Sequence, residues 1–412
     1  MKIESSRVAI TGIGMICSLG ADRSQIWDSL LAGRSRTNFV SSFEPSEFGL
    51  ENCIVAEVDQ GDIDTAAERF PASLWVRDKH RFRKLVLAAA TEAMEDARLR
   101  PNTYSGSGGC ILGTMYGGSH EVERLVLSTS SRRKARVSDY IGRRPAVALQ
   151  DIARLYSLRG PVFAIDATCA SGAYALTQAA GLVATGRLPW CLAGGAEASL
   201  LPSILKGATA IKALSTHFAS PTRASRPFDV QRSGYVPAEG AGFLLLENER
   251  HAVKRGARIY AYVSGMAEGN YTDHPTQVSE KLARSVMKQA INDANIQVNQ
   301  LGWIKAHATS TRQGDSAEAN AIRSLTEPHN IPCSALKSVT GHLLGASGAV
   351  EAAFAALSLH DQIIPPTINL ESLDPECPVH CIRKATPSKF DSVLANSWGF
   401  GGTACSILLE RA

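Results

Sequence analysis

Two distant stretches of this chain follow one plan. Residues 168–189 read TCASGAYALTQAAGLVATGRLP, and residues 340–366 read TGHLLGASGAVEAAFAALSLHDQIIPP. Each runs from a polar elbow into an Ala- and Gly-rich helix and out to a proline. Side chains this small let two helices pack closely at the centre of a fold. Self-similarity of this kind is what a duplicated chain leaves behind. The expectation is a pseudo-symmetric pair of α/β halves, residues 1–250 and 251–412, meeting at these two helices.

The rest of the chain fits that frame. RVAITGIGMI, GGCILGTMYGG, GPVFAID, WCLAGGAEAS and AGFLLLE read as buried strands in the first half. ARIYAYVSGMAEG, LGWIKAHATS, IPCSALKS, SVLANSWGFGG and TACSILLER do so in the second. Between them, RFRKLVLAAATEAMEDARL and SEKLARSVMKQAINDAN carry apolar residues at helical spacing. Strands alternating with helices predict α/β layering around a mostly parallel sheet. No apolar run approaches ~18 residues, and the N-terminus has no secretory h-region, so a cytoplasmic protein without a membrane span is expected. The nine cysteines are scattered and odd in number, with no paired CxxC. That pattern points to reduced thiols and to no metal site. A net charge of +4 is too mild to argue for nucleic acid, but suits a local basic patch facing an acidic partner.

One cysteine stands apart. In FAIDATCASGAYAL, Cys169 follows a strand and precedes a helix. A helix N-terminus offers free N–H groups and partial positive charge, which favour a thiolate and can bind an oxyanion. A nucleophilic cysteine needs a histidine partner. His307 in WIKAHATSTRQGD and His342 in LKSVTGHLLGASGAVE both fall at strand-to-helix elbows, where side chains converge on one end of a sheet. Lys337 and Glu351 flank His342 and suit a buried charge network that keeps an imidazole neutral. The loop NSWGFGGTA sets Phe400 among Gly399, Gly401 and Gly402, so backbone can approach a ligand and the aromatic ring can swing.

These four motifs, in this order, resemble the β-ketoacyl-acyl carrier protein synthases, of the elongating class with a Cys-His-His triad. The opening RVAITGIGMICSLG and the stretch ASRPFDVQRSGYVPAEGAGFLLLE are similar to that family too, so the resemblance spans the chain. It implies the thiolase fold, two pseudo-symmetric halves in an αβαβα layered architecture. It implies that Cys169 takes an acyl chain from carrier-borne phosphopantetheine, and that His307 and His342 stabilise the enolate left when malonyl-carrier loses CO2. Further implied roles are oxyanion donation by the N–H groups of Cys169 and Phe400, pantetheine contacts by Thr309 and Thr311, and support by Lys337 and Glu351. No cofactor is implied beyond the carrier's own arm.

Five residues depart from the family's usual pattern. Thr168 stands where alanine precedes the nucleophile, Ala308 where glycine follows the histidine, and Trp398 and Ala404 where phenylalanine and asparagine occur. Tyr116 in GTMYGG takes a position where a smaller aliphatic residue lines the acyl pocket. These departures favour a specialised polyketide or polyene pathway over housekeeping fatty-acid elongation, which is the alternative. A thiolase or CoA-dependent initiating synthase is disfavoured by His342, and a non-catalytic chain-length factor by Cys169. Acyl carrier protein is the expected partner. Arg77, Lys79, Arg81, Arg83 and Lys84, and Arg132, Arg133, Lys134 and Arg136, form two basic clusters that could dock it. The family's fold is dimeric, so a homodimer or a heterodimer with a chain-length-factor-like subunit is expected.

Overall fold

The computed structural model describes residues 6–69, 80–99, 108–119, 122–123, 126, 144–216, 219–271 and 278–412. Eleven strands form one sheet: β1 (Val8–Cys17), β2 (Gly109–Gly113), β3 (Val162–Ile165), β4 (Trp190–Glu197), β5 (Gly240–Asn248), β6 (Ala261–Asn270), β7 (Trp303–Lys305), β8 (Pro332–Ser334), β9 (His380–Cys381), β10 (Ser392–Trp398) and β11 (Thr403–Arg411). Seven helices matter below: α1 (Arg81–Asp96), α2 (Pro145–Leu155), α3 (Ser171–Ala184), α4 (Pro202–Ala210), α5 (Glu280–Asp293), α6 (Arg312–Thr326) and α7 (Ser347–Asp361).

The duplication is written in the strand order. The sheet runs β9-β8-β7-β10-β11-β6-β1-β5-β4-β2-β3. Leaving aside the short β9, each half places its first strand innermost, then its fifth, fourth, second and third. Strand directions repeat as well. β1–β5 and β5–β4 are antiparallel, as are β6–β11 and β11–β10. β4–β2 and β2–β3 are parallel, as are β10–β7 and β7–β8. β1 and β6 join the halves antiparallel. The sheet is therefore mixed, not mostly parallel. Helical crossovers link the three outer strands of each half, which pair parallel, whereas β10 returns directly into β11 through a tight loop and pairs antiparallel with it.

Five layers result. α1 and α2 cover the outer face of the first half, α5 and α6 that of the second, and α3 and α7 lie between strands of both. α7 buries every residue from Ser347 to Leu359, as a helix apolar on all sides must. Its contact with α3 runs through glycines. A Cβ on Gly348 would sit 2.5 Å from the Ala173 nitrogen, and one on Gly172 2.8 Å from the Ala349 nitrogen. The small-residue runs thus bring two helix backbones together.

β3 departs from the expectation of a buried strand. It is the sheet's outermost strand and pairs only with β2. Phe163 is 40% exposed on it. Apolar composition shows that a strand is to be covered, not by which chain.

Candidate active site

After β3 the chain turns sharply before α3 begins at Ser171, so Cys169 lies two residues ahead of the helix. Thr168 takes φ +53°, a left-handed conformation costly for a β-branched residue. Ser171 holds the turn. Its hydroxyl accepts from the Ala167 N–H at 2.9 Å and donates to the Thr168 carbonyl at 2.6 Å. This geometry presents Cys169 at the floor of a cleft of about 720 Å³. All nine cysteines are free thiols, and Cys169 is the one that lines this cleft.

The thiolate expected from the helix N-terminus is not the resting form. Burial pushes the Cys169 thiol up to about 12. Lys337 and the backbone N–H groups of Phe400 and Cys169 pull the other way, and the Glu197 carboxylate adds to the rise. Those two N–H groups therefore both point at the sulfur, where an oxyanion on a Cys169-bound carbonyl would form.

His307 follows β7, and His342 follows a single helical turn, Lys337–Thr340. The His342 backbone is clamped by Val236 and Ala238, with its N–H donating to the Val236 carbonyl at 2.7 Å. The two imidazoles meet edge to face, 5.4 Å apart at 85°, and Tyr235 packs against His342 at the same distance. Both rings are held well below the usual histidine range, first by burial and then by the Lys337 charge. Both are neutral at pH 7.

The proton position on His307 follows from its neighbour. Lys337 Nζ lies 3.3 Å from His307 Nδ1 and 2.7 Å from the His307 carbonyl. An ammonium has donors only, so Nδ1 must carry the lone pair and Nε2 the proton. For His342, Nδ1 lies 3.0 Å from the Ser347 hydroxyl, a group that can donate or accept, so either ring nitrogen can carry the proton there.

Beneath the histidines lies a charge cluster larger than the expected Lys337–Glu351 pair. Glu351 Oε1 accepts from Lys337 at 2.5 Å, and its Oε2 accepts from Lys305 at 2.5 Å. Lys305 also donates to the Asn396 carbonyl. Glu318 accepts the backbone N–H groups of His307 at 2.8 Å and Ala308 at 2.7 Å, and the Asn396 side chain at 3.2 Å. Two buried lysines thus face two buried carboxylates, which is how a low-dielectric interior tolerates charge. Sequence reasoning missed Lys305, Glu318 and Asn396. The signal for Lys305 was a lysine within the apolar run WIK, two residues before His307.

Thr309 and Thr311 line the cleft mouth, their hydroxyls 3.1 Å apart. Tyr116 and Met115 line it beside Cys169. Their backbone N–H groups are fixed by the buried Glu197 at 3.1 and 3.0 Å. Glu197, also missed, accepts the Gly345 N–H at 3.2 Å as well. Gly399, Phe400, Gly401 and Gly402 form the loop between β10 and β11, with φ +78° at Gly401 and +80° at Gly402. A Cβ on Gly402 would meet the Tyr271 carbonyl at 1.8 Å.

The basic clusters are placed differently. Arg77, Lys79, Arg132, Arg133, Lys134 and Arg136 lie outside the described residues. Arg81 points inward, its guanidinium gripping the buried Glu239 at 2.8 and 2.5 Å. Arg83 pairs with the buried Asp151. Both charges are answered inside the protein, because each neutralises a carboxylate with no other escape from the interior. Lys84 is partly buried on α1.

A thiol at a strand–helix elbow, two neutral imidazoles, one with its proton on Nε2, and a duplicated α/β frame define a condensing acyltransferase, an enzyme that moves an acyl group and manages an enolate. Comparison with known proteins gives its family. The beta-ketoacyl synthase N-terminal domain matches residues 5–252, and the beta-ketoacyl synthase C-terminal domain matches residues 260–371. The chain belongs to the beta-ketoacyl synthase family. It is 35% identical to 3-oxoacyl-[acyl-carrier-protein] synthase 2 of Coxiella burnetii, over 99% of each chain. It is 34% identical to a putative polyketide beta-ketoacyl synthase 1 of Streptomyces cyaneus, over 98% of this chain and 97% of that one. The solved ishigamide ketosynthase/chain length factor superposes with a TM-score of 0.89 at 28% identity, covering 99% of this chain and 100% of that chain.

Proposed function

We infer that this protein is a 3-oxoacyl-[acyl-carrier-protein] synthase that extends carrier-bound chains in a specialised polyketide or polyene pathway. One observation carries the chemistry: two neutral histidines, one with its Nε2 proton fixed by Lys337, face the cleft that contains Cys169.

The reaction runs in two halves. Cys169 attacks the thioester carbon of an acyl-carrier. The tetrahedral oxyanion is held by the N–H groups of Cys169 and Phe400, and its collapse breaks the bond to the pantetheine sulfur, which leaves with the cysteine's proton. Malonyl-carrier then replaces the spent carrier. Its C–CO2 bond breaks, and the electron pair flows into the thioester carbonyl as an enolate. His307 and His342 stabilise that oxygen through their ring N–H groups without giving up their protons. The enolate carbon attacks acyl-Cys169, and collapse releases the thiolate and a 3-oxoacyl chain two carbons longer. Neutral imidazoles suit this role because they donate without offering a proton to the carbanion.

The pathway reading rests on Tyr116, whose phenol narrows the cleft beside the thiol and can meet a polar or rigid chain. The near-equal likeness to synthase 2 and to polyketide enzymes supports elongation in either setting. Housekeeping fatty-acid elongation is the second reading. An acidic carrier protein is the expected donor, and the cytoplasm the expected setting. The apolar, singly paired β3 supports a dimer, with itself or with a chain-length-factor-like subunit. Incubation with acyl-carrier and malonyl-carrier tests the reading. It predicts a 3-oxoacyl-carrier two carbons longer and released CO2, and neither forming would refute it.

A further inference from the structure

Thr168 is the residue the mechanism leaves unused, yet the structure builds around it. Its hydroxyl oxygen lies 2.8 Å from the Phe400 carbonyl, 2.8 Å from the Ala167 carbonyl and 3.2 Å from the Thr403 hydroxyl. The Thr403 hydroxyl itself lies 2.9 Å from the Ala167 carbonyl. Two hydroxyls carry two protons for two carbonyls. With Thr403 donating to Ala167, the Thr168 proton goes to Phe400. The Ala167 carbonyl also accepts from the Ala170 N–H at 3.1 Å, so it is the Phe400 carbonyl that calls for the Thr168 proton.

This contact joins the nucleophile's elbow to the glycine loop across 232 residues of sequence. The ends of the loop are held by backbone bonds, the Gly399 N–H donating to the Thr403 carbonyl at 2.8 Å and the Gly402 carbonyl accepting from the Tyr271 N–H at 3.0 Å, which leaves the Phe400–Gly401 peptide between them. Gly401 has nothing within 4 Å of its absent Cβ, and both Gly401 and Gly402 take positive φ, so the peptide of Phe400 is free to rotate unless held. The Phe400 N–H belongs to the preceding Gly399–Phe400 peptide, which lies between the Gly399 N–H anchored on the Thr403 carbonyl and the Phe400 carbonyl held by Thr168, so fixing both flanks fixes the direction of that N–H. The elbow residue that aims its side chain at this loop is also the one held at φ +53°. Gly399 must lack a side chain for the same reason. A Cβ there would sit 2.1 Å from the Thr168 hydroxyl and 2.3 Å from that of Thr403.

We propose that the Thr168 hydroxyl is a positioning latch, holding the Gly399–Gly402 loop by the Phe400 carbonyl so that the Phe400 N–H stays aimed at Cys169. Thr168 does not touch substrate. It sets how much of the time the oxyanion site is complete, and so it acts on the steps that pass through a tetrahedral carbon on Cys169. Decarboxylation does not pass through that site, because its developing charge falls to His307 and His342. The inference rests on the catalytic reading above and deepens it by separating the two half-reactions.

The test uses full-length protein, a hexanoyl-loaded acyl carrier protein and a malonyl-loaded one. Single-turnover acylation of Cys169 is followed by mass spectrometry, and decarboxylation by CO2 release. Thr168→Val keeps the β-branched shape and removes the proton, Thr168→Ala removes both, and Thr168→Ser keeps the hydroxyl. Acylation should slow about 10-fold or more in the Val and Ala variants, in line with losing part of an oxyanion donor. CO2 release should stay within about twofold of wild type, and the Ser variant should acylate at nearly the wild-type rate. Unchanged acylation in Thr168→Val would overturn the latch, as would acylation and decarboxylation falling together, or a Ser variant as slow as the Val variant. Absence of acyl-Cys169 in the wild type would instead refute the catalytic reading, and the latch with it.

Discussion

Lys337 Nζ sits 3.3 Å from Nδ1 of His307 and is held there by Glu351 at 2.5 Å. The carboxylate keeps the ammonium in the interior, and the ammonium decides which ring nitrogen bears the proton. Burial keeps both imidazoles from becoming cations, and the same positive charge adds to it. A single buried pair thus sets the His307 tautomer and reinforces the neutrality of both rings at the site where an enolate is to form.

Removing that donor frees His307 to adopt either tautomer. Lys337→Met should lower CO2 release from malonyl-carrier by about 100-fold, the usual scale for losing a positioned proton donor. The Lys305–Glu351 pair stays in place, so the fold should survive, as circular dichroism can check. Decarboxylation at the wild-type rate would contradict the role given to Lys337.

The buried histidines also make a stability prediction. Burial holds both imidazoles well below the ordinary histidine value of about 6.5, so below that pH the unfolded chain binds protons that the native state refuses. The stability gained by holding them neutral is present above about 6.5 and is lost as pH falls below it. His342→Gln has no such proton to gain. Relative to wild type, it should recover up to about 1.4 kcal/mol of urea-unfolding free energy per pH unit below that point. A gap that is the same at pH 7.5 and pH 5.5 would contradict neutral burial of His342.

The central helix pair predicts a contrast between two glycines. Gly348→Ala would drive a methyl to 2.5 Å from the Ala173 nitrogen, whereas Gly181 in α3 has nothing within 4 Å. Gly348→Ala should cost about 1–3 kcal/mol by overpacking, and Gly181→Ala should be stabilising by about 0.5–1 kcal/mol. Urea midpoints measure both, and equal shifts would mean the helices are not in close contact.

Tyr116 predicts chain selectivity. Its backbone is pinned by Glu197, so its phenol cannot retreat with the loop. Tyr116→Ala should raise the rate with acyl chains longer than the best wild-type substrate by about 10-fold relative to that substrate, the scale of a few methylenes in a pocket. Unaltered chain-length preference in competition assays would remove Tyr116 from the pocket wall.

Much of this was legible in the chain itself. The Ala/Gly runs around Gly172 and Gly348 announced close helix contact, and the elbows at Cys169, His307 and His342 announced convergence, because both signals are local. What stayed hidden depended on distant neighbours. Lys305 and Glu351 are 46 residues apart and meet only because α7 packs against the sheet that carries β7. The turn of Arg81 toward Glu239 spans 158 residues and reads locally as a solvated basic run. β3 looks buried in sequence because Phe163 and its neighbours are apolar, yet it lies at the sheet edge. The left-handed conformation at Thr168 has no local signature in a β-branched residue, and only the loop 232 residues away explains its side chain.

Peptide-level mass spectrometry after brief exposure to acyl-carrier is the most direct test of the nucleophile. Nine thiols compete, and Cys169 alone lines the cleft below the two histidines. The acyl mass should appear on the peptide containing Cys169, vanish in Cys169→Ala, and disappear from wild type as the longer 3-oxoacyl-carrier forms on adding malonyl-carrier. An acyl group on any other cysteine, or chain extension by Cys169→Ala, would contradict the assignment of Cys169 as the residue that carries the growing chain.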